Sequence, residues 1–414
     1  MNDQFVAAMR QAAQSLRAQK VVEATRLIQS ALTRKLSDAP SSEAPSPAPI
    51  PTLRPRKSDG EYGKAASSPS VAMRQTEDGA SANLHPGIGR VRKPLGEALE
   101  ALRKGRLKLR PIGPRPIGRP LGPPLPVVPD GAKFLRRSYA CAAGVREYKL
   151  YIPASAKDRP SGLVVMLHGC NQNPDDFAVG TNMNAVGEAH HLLVVYPAQS
   201  GSANTMSCWN WFNPADQKRD RGEPSIIAGI TRELVREFGI GGRRVFVAGL
   251  SAGGAMAAVM GETYPDLYAA IAVHSGIACR SANDVVSAFE AMRGKPISAA
   301  PAKSHVRGLE SKVRTIVFHG SADVTVVPSN ADRIVADVTR QFPPLQIRRA
   351  EGSVNGRRFK RTSALALNDV PMVECWIIEG AGHAWSGGRP EGSYTDFQGP
   401  DASAEMVRFF LADE

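Results

Sequence analysis

The chain has 414 residues, 42% of them hydrophobic, with 52 Lys and Arg against 39 Asp and Glu, a formal net charge of +13. That length suits one large domain with extensions or two ordinary ones, and the absence of any run of about 18 apolar residues argues against a membrane-spanning helix. The charge excess is local: residues 1–137 hold 24 basic and 11 acidic side chains, and the remainder holds 28 of each, so the basic balance says nothing about the chemistry of the later part.

In chain order, residues 4–35 carry apolar side chains mostly three or four apart (Phe5, Met9, Ala12, Leu16, then Val21, Ala24, Leu27, Ile28, Leu32). This spacing predicts a helix, or a pair broken near Ala18–Lys20, making residues 1–36 a helical segment. The opening residues lack the basic, apolar and small-residue succession of a secretory signal. Residues 37–132 are rich in Pro, Ser, Ala, Gly and Arg, and too little apolar area is available to offset ordering entropy. They are expected to be a mostly disordered basic linker with a short helix at PLGEALEALRKGRLK. Such a segment can also act as a cationic tether to a granule, an anionic surface or nucleic acid, in a binding protein whose later domain is only a vestigial scaffold. With Tyr62 the single aromatic in residues 37–130, stacking on bases is poorly provided for, and no nucleic-acid partner is required.

From Lys133 the texture changes to that of an α/β domain, residues 133–414. Apolar strand candidates (EYKLYI, GLVVMLHG, LLVVYPAQ, RRVFVAGLS, AAIAVHSG, RTIVFHG, VECWIIEGAGH) alternate with amphipathic helical stretches such as SIIAGITRELVREFG and SNADRIVADVTRQF. That alternation predicts a mainly parallel sheet with helices on both faces and the strand C-terminal ends along one rim.

Gly249-Leu250-Ser251-Ala252-Gly253 fits G-x-S-x-G, with a strand before it and an Ala-rich helix after it. In such a nucleophile elbow the serine occupies a strained turn, and glycines flank it because side chains there would strike the neighbouring strand and helix. Ser251 needs a base oriented by a carboxylate, in the chain order Ser, acid, His. His274, His305, His319 and His383 are the histidines that follow it. His383 comes last, in the Gly-rich loop of IIEGAGHAWSGG, and is the expected base. Asp323, at the exit of the strand RTIVFHG, is the expected acid; Asp332 and Asp337 fall inside the next helix. The oxyanion donors are expected to be the backbone N–H groups of Ala252 and of Cys170, in the loop of LHGCNQN. His168 precedes Ser251 on another strand and is read as a brace of that loop. Trp209, Trp211 and Trp385 are candidates to line an apolar substrate cleft, although aromatic side chains more often belong to the core. Five cysteines show no metal-ligand spacing; Cys170 and Cys208, both beside these motifs, leave a disulfide open as a question.

Together LHGC, CWNWF, GLSAGGAM, FHGSAD and GHAWSGG resemble, over roughly residues 137–414, the esterase family that includes short-chain-length polyhydroxyalkanoate (poly(3-hydroxybutyrate)) depolymerases and related feruloyl and acetylxylan esterases. The resemblance implies an α/β-hydrolase fold, an ester substrate, no metal or organic cofactor, Ser251 as nucleophile, Asp323 as orienting acid, His383 as base and Cys170 in the oxyanion loop. Many members are secreted and carry a separate polymer-binding domain. Neither a signal nor such a domain is evident here, so an intracellular or oligomer-cleaving hydrolase stands beside an extracellular one. The compartment and the oligomeric state stay open.

Overall fold

The structure is a computed structural model, and it describes residues 125–156, 159–297 and 312–412. The expected N-terminal helical segment and nearly all of the basic linker, including its short helix, lie outside the described residues.

The strands are β1 (Lys133–Cys141), β2 (Gly144–Ile152), β3 (Gly162–Leu167), β4 (Leu192–Pro197), β5 (Val245–Leu250), β6 (Ala270–His274), β7 (Arg314–Gly320), β8 (Gln346–Val354), β9 (Arg357–Leu365) and β10 (Pro371–Ile378), with short β11 (Trp385–Ser386) and β12 (Thr395–Asp396) in a loop. The helices are α1 (Pro174–Thr181), α2 (Met183–Ala189), α3 (Gly222–Glu237), α4 (Ala252–Thr263), α5 (Val285–Met292), α6 (Ser329–Thr339) and α7 (Ala402–Phe410). None is long and apolar enough to cross a membrane.

One ten-stranded sheet runs in the order β1-β2-β4-β3-β5-β6-β7-β10-β9-β8. Its centre, β4-β3-β5-β6-β7-β10, is parallel. Every residue of β3, β4, β5, β6 and β7 is buried, as continuous apolar runs covered on both faces must be. One face packs on α3 and α4 through Ile226, Ile230, Met256 and Val259, the other on α7 and α1 through Phe409, Phe410, Met406 and Phe177. Phe246 and Phe410 stack with their centroids 4.7 Å apart. This is the α/β-hydrolase arrangement that the alternation of strands and helices predicts.

The flanks are antiparallel. Hairpin β1–β2 joins β4 on one side, and hairpin β8–β9 joins β10 on the other. Strands β1 and β8, and β9 up to its last three residues, have half-exposed or fully exposed surfaces and so lack the apolar run that marks the central strands. The β8–β9 turn is Asn355-Gly356, with φ of 46° and 82°; a two-residue turn with both φ positive matches the twist of the strands it joins.

Candidate active site

Ser251 sits between β5 and α4 with φ 57° and ψ −118°, a strained conformation for a residue with a side chain. Its amide donates to His274 O on β6 at 2.9 Å, which ties the strained residue to the sheet. The flanking glycines are sterically required. A methyl group on Gly253 would lie 2.0 Å from Leu167 O, and one on Gly249 would lie 2.3 Å from the Gly253 carbonyl. The Ser251 side chain does not cap its own helix.

The structure brings Asp323 and His383 together across 60 residues of sequence: His383 Nδ1 lies 2.7 Å from Asp323 Oδ2, with the imidazole donating. Their loops leave the adjacent parallel strands β7 and β10 at the same rim, and they are bonded to each other. Ser321 N–H donates to Ile378 O, Ala322 N–H to Ala381 O, both at 2.9 Å, and Gly380 N–H to Ser321 Oγ at 2.9 Å. A methyl group on Gly320 would come within 2.4 Å of Ala381 O, so only glycine permits this approach.

Asp323 Oδ1 accepts the N–H groups of Thr325 and Val326, each at 2.9 Å. His319, which the sequence showed only as a strand-end residue, lies with Nε2 at 3.5 Å from Asp323 Oδ2 and 2.8 Å from Val326 O. Burial by itself pushes the Asp323 carboxyl upward, but the hydrogen bonds from His319, His383 and the Val326 amide outweigh it and hold the group well below the usual carboxylate range. Asp323 is thus a fixed anion that orients His383 and leaves its Nε2 pointing away from the acid. His383 Nε2 has no protein partner among the described residues, and the hydrogen bond from Ser251 Oγ to it is not formed in this structure. In serine hydrolases that contact often closes only with substrate in place.

The loop after β3 lies against the elbow: a methyl group on Gly169 would be 3.7 Å from Ser251 Cβ and 3.5 Å from Leu250 O. Cys170 N–H takes no hydrogen-bond acceptor among the described residues, and Ala252 N–H opens α4, where no carbonyl stands one turn back. Both are therefore free to donate to an oxyanion. The loop is clamped on several sides. His168 Nδ1–H donates to Gly169 O at 2.8 Å while His168 Nε2 accepts Gln199 N–H at 3.0 Å, and burial pushes this imidazole down to about 4, so it is neutral. Gln172 Oε1 accepts Gly169 N–H at 3.0 Å. Cys170 and Cys208 form a disulfide, which answers the question left open by their positions.

Two of the three tryptophans expected in a substrate cleft, Trp209 and Trp385, are placed in the core by their contacts. Trp209 is wholly enclosed and donates from Nε1 to His168 O at 3.1 Å. Trp385, 1% exposed, stands between Phe177 and His274 with Nε1 on Ser403 Oγ at 3.1 Å. Trp211 is buried against Phe212. Trp209 and Trp385 supply apolar area to the core. His274, another sequence candidate, is also structural: its ring stacks on Phe318 and Trp385, accepts Ser386 N–H at Nε2 and is pushed down to about 3, by burial first and then by the neighbouring imidazoles of His319 and His383.

Comparison with known proteins places this geometry. The chain is 35% identical over 239 residues to poly(3-hydroxyalkanoate) depolymerase C of Paucimonas lemoignei, covering 55% of this chain and 57% of that protein. It is 31% identical over 193 residues to a probable acetylxylan esterase A of Aspergillus clavatus, covering 44% of this chain and 61% of that protein. The chain therefore spans less than two thirds of the length of these curated relatives. Among solved structures, an acetyl xylan esterase from Aspergillus awamori superimposes with a TM-score of 0.51 at 20% identity, over 67% of this chain and 98% of that one, which shows a shared fold. Residues 146–355, just over half of the sequence, match the esterase PHB depolymerase family, and the chain belongs to that family.

Proposed function

We propose that this protein is a serine carboxylic-ester hydrolase that works through an acyl-serine intermediate, with short-chain hydroxyalkanoate polyester or its oligomers as substrate. The observation that carries the reading is the His383–Asp323 pair, held at 2.7 Å on the rim where the strained Ser251 turn also lies. His383 Nε2 takes the Ser251 proton as Oγ attacks the ester carbonyl, and Asp323, a carboxylate already fixed by two amides, stabilises the imidazolium. The Cys170 and Ala252 amides receive the oxyanion. The alcohol leaves with the proton that His383 returns; water then repeats the sequence and frees the acid. The polyester preference rests on the similarity to the Paucimonas enzyme, and the acetylxylan esterase relatives support a second reading in which an acetyl or feruloyl group on a polysaccharide is removed. Any granule or anionic-surface contact through the basic first third is a separate proposal about residues outside those described.

The test is a panel of hydroxybutyrate oligomers, amorphous poly(3-hydroxybutyrate), acetylated xylan, a feruloyl ester and p-nitrophenyl butyrate, run with the purified chain and its Ser251→Ala variant. Hydroxybutyrate release, lost by about 10⁶-fold in the variant as in other serine hydrolases, is the expected result. Equal turnover by both proteins would overturn the mechanism, and activity confined to xylan or feruloyl esters would overturn the substrate.

A further inference from the structure

Strand β8 ends the ten-stranded sheet, and no described strand lies beyond it. It is nine residues long, Gln-Ile-Arg-Arg-Ala-Glu-Gly-Ser-Val, contains no proline, and is exposed or half-exposed throughout, including Ile347 at 47% and Val354 at 40%. Its outer row of N–H and C=O groups is a template for another strand. Native edges are commonly guarded by charge, and β8 carries Arg348, Arg349 and Glu351. Arg348 is engaged by Asp369 at 3.1 Å. Arg349 and Glu351, two apart and so on one face of the strand, have no ion-pair partner among the described residues.

From this edge we infer a second copy of the same chain as partner, joined by antiparallel pairing of β8 with β8 about a two-fold axis at Ala350. The register follows from parity and charge. Only alternate residues of an edge strand point their backbone groups outward, and directly opposed residues must both do so or both not. The axis must therefore pass through a residue, not between two. An axis at Arg348, Arg349 or Glu351 sets a like charge against itself. At Ala350 all nine residues overlap, Arg349 faces Glu351 of the other copy, and Glu351 faces its Arg349. Arg348 then faces Gly352, Ile347 faces Ser353 and Gln346 faces Val354, so no like charges stand directly opposed. Charges that would repel a foreign strand become the self-complementary contacts of an isologous interface. Residues 138–414 have as many acidic as basic side chains, so the two domains carry no net repulsion. Because the axis is perpendicular to the sheet, the two strand-end rims point in opposite directions and both sites stay open.

Sedimentation velocity on the full chain across a concentration series tests this. A monomer–dimer equilibrium weakened by added salt is expected. Arg349→Glu alone and Glu351→Arg alone should each raise the dissociation constant by about tenfold or more, since two attractive pairs become repulsive. Both changes in one chain should restore it. Mixing the two single variants should yield a heterodimer, because each then meets its complement; that result also shows both variants folded. Turnover of p-nitrophenyl butyrate should be the same in all of them. A chain that is monomeric at every concentration, a dimer indifferent to either reversal, or single variants that fail to pair when mixed would overturn the inference.

Discussion

At the scale of single residues, Asp323 concentrates the most information. Both oxygens are occupied, Oδ1 by two backbone amides and Oδ2 by His383 and His319. An Asp323→Asn change keeps the shape but presents an N–H or a weaker acceptor to His383, so the ring loses its fixed tautomer. Turnover is expected to fall by about 10⁴-fold with little change in KM, the size found for the matching change in a serine protease, and steady-state kinetics on p-nitrophenyl butyrate checks it. The strained Ser251 turn and the meeting of Asp323 with His383 were legible in the sequence because each carries local chemistry: two glycines with a required clearance, a strand exit followed by a turn, a loop of glycines. His319 was not, because its approach to Asp323 depends on how the turn folds back. Trp209 and Trp385 were misplaced for a related reason: an aromatic side chain announces apolar area, and only the packing decides whether that area faces a substrate or the core.

At the scale of elements, the central strands were readable from their unbroken apolar runs, whereas β1, β8 and β9 were missed because water on their surfaces erases that pattern. The usable signal was Asn355-Gly356, a turn that both needs and supplies positive φ. Two element-scale predictions follow from close packing around the elbow. Gly253→Ala places a methyl group 2.0 Å from Leu167 O, so β3 or α4 must shift; a loss of about 1–3 kcal/mol, the usual cost of overpacking, should appear in urea unfolding. The Cys170–Cys208 bond joins residues 38 apart and ties the loop after β3 to the segment carrying Trp209. Closing a loop of that size restricts the unfolded chain by up to about 4 kcal/mol. A Cys170→Ser/Cys208→Ser protein should therefore unfold at a lower urea concentration than the oxidised protein, and adding dithiothreitol to the parent should reproduce the change.

For the whole molecule, the two imidazoles buried beneath the site contribute to the loss of stability in acid. His168 and His274 are held neutral, at about 4 and about 3, against about 6.5 in the unfolded chain. A buried base with a depressed value contributes stability that is present above the unfolded value and lost as pH falls toward the folded one, because only the unfolded state takes up the proton. Between pH 7 and pH 5 the unfolded chain gains about 0.7 proton at each site, so this pair alone should lower the unfolding free energy by about 4 kcal/mol. Burial raises the carboxyls of Asp216, Glu223 and Asp401, which acts in the opposite sense, so urea midpoints at the two pH values are compared with those of a His274→Phe protein; an identical pH dependence in the two would contradict the buried neutral state of His274.

Trp385 lies face to face with His274, with ring centroids 5.1 Å apart and planes inclined by 21°. Indole emission is quenched by a neighbouring imidazolium and not by imidazole, so this stack is a built-in optical reporter of whether the ring has gained a proton. His168 and Trp209, with centroids 5.8 Å apart, form a second such pair. Emission that dims under acidic conditions, before the red shift that accompanies exposure of the buried indoles, therefore reports the protonation of these two buried rings without a label, and a Trp209→Phe protein isolates the part that belongs to His274.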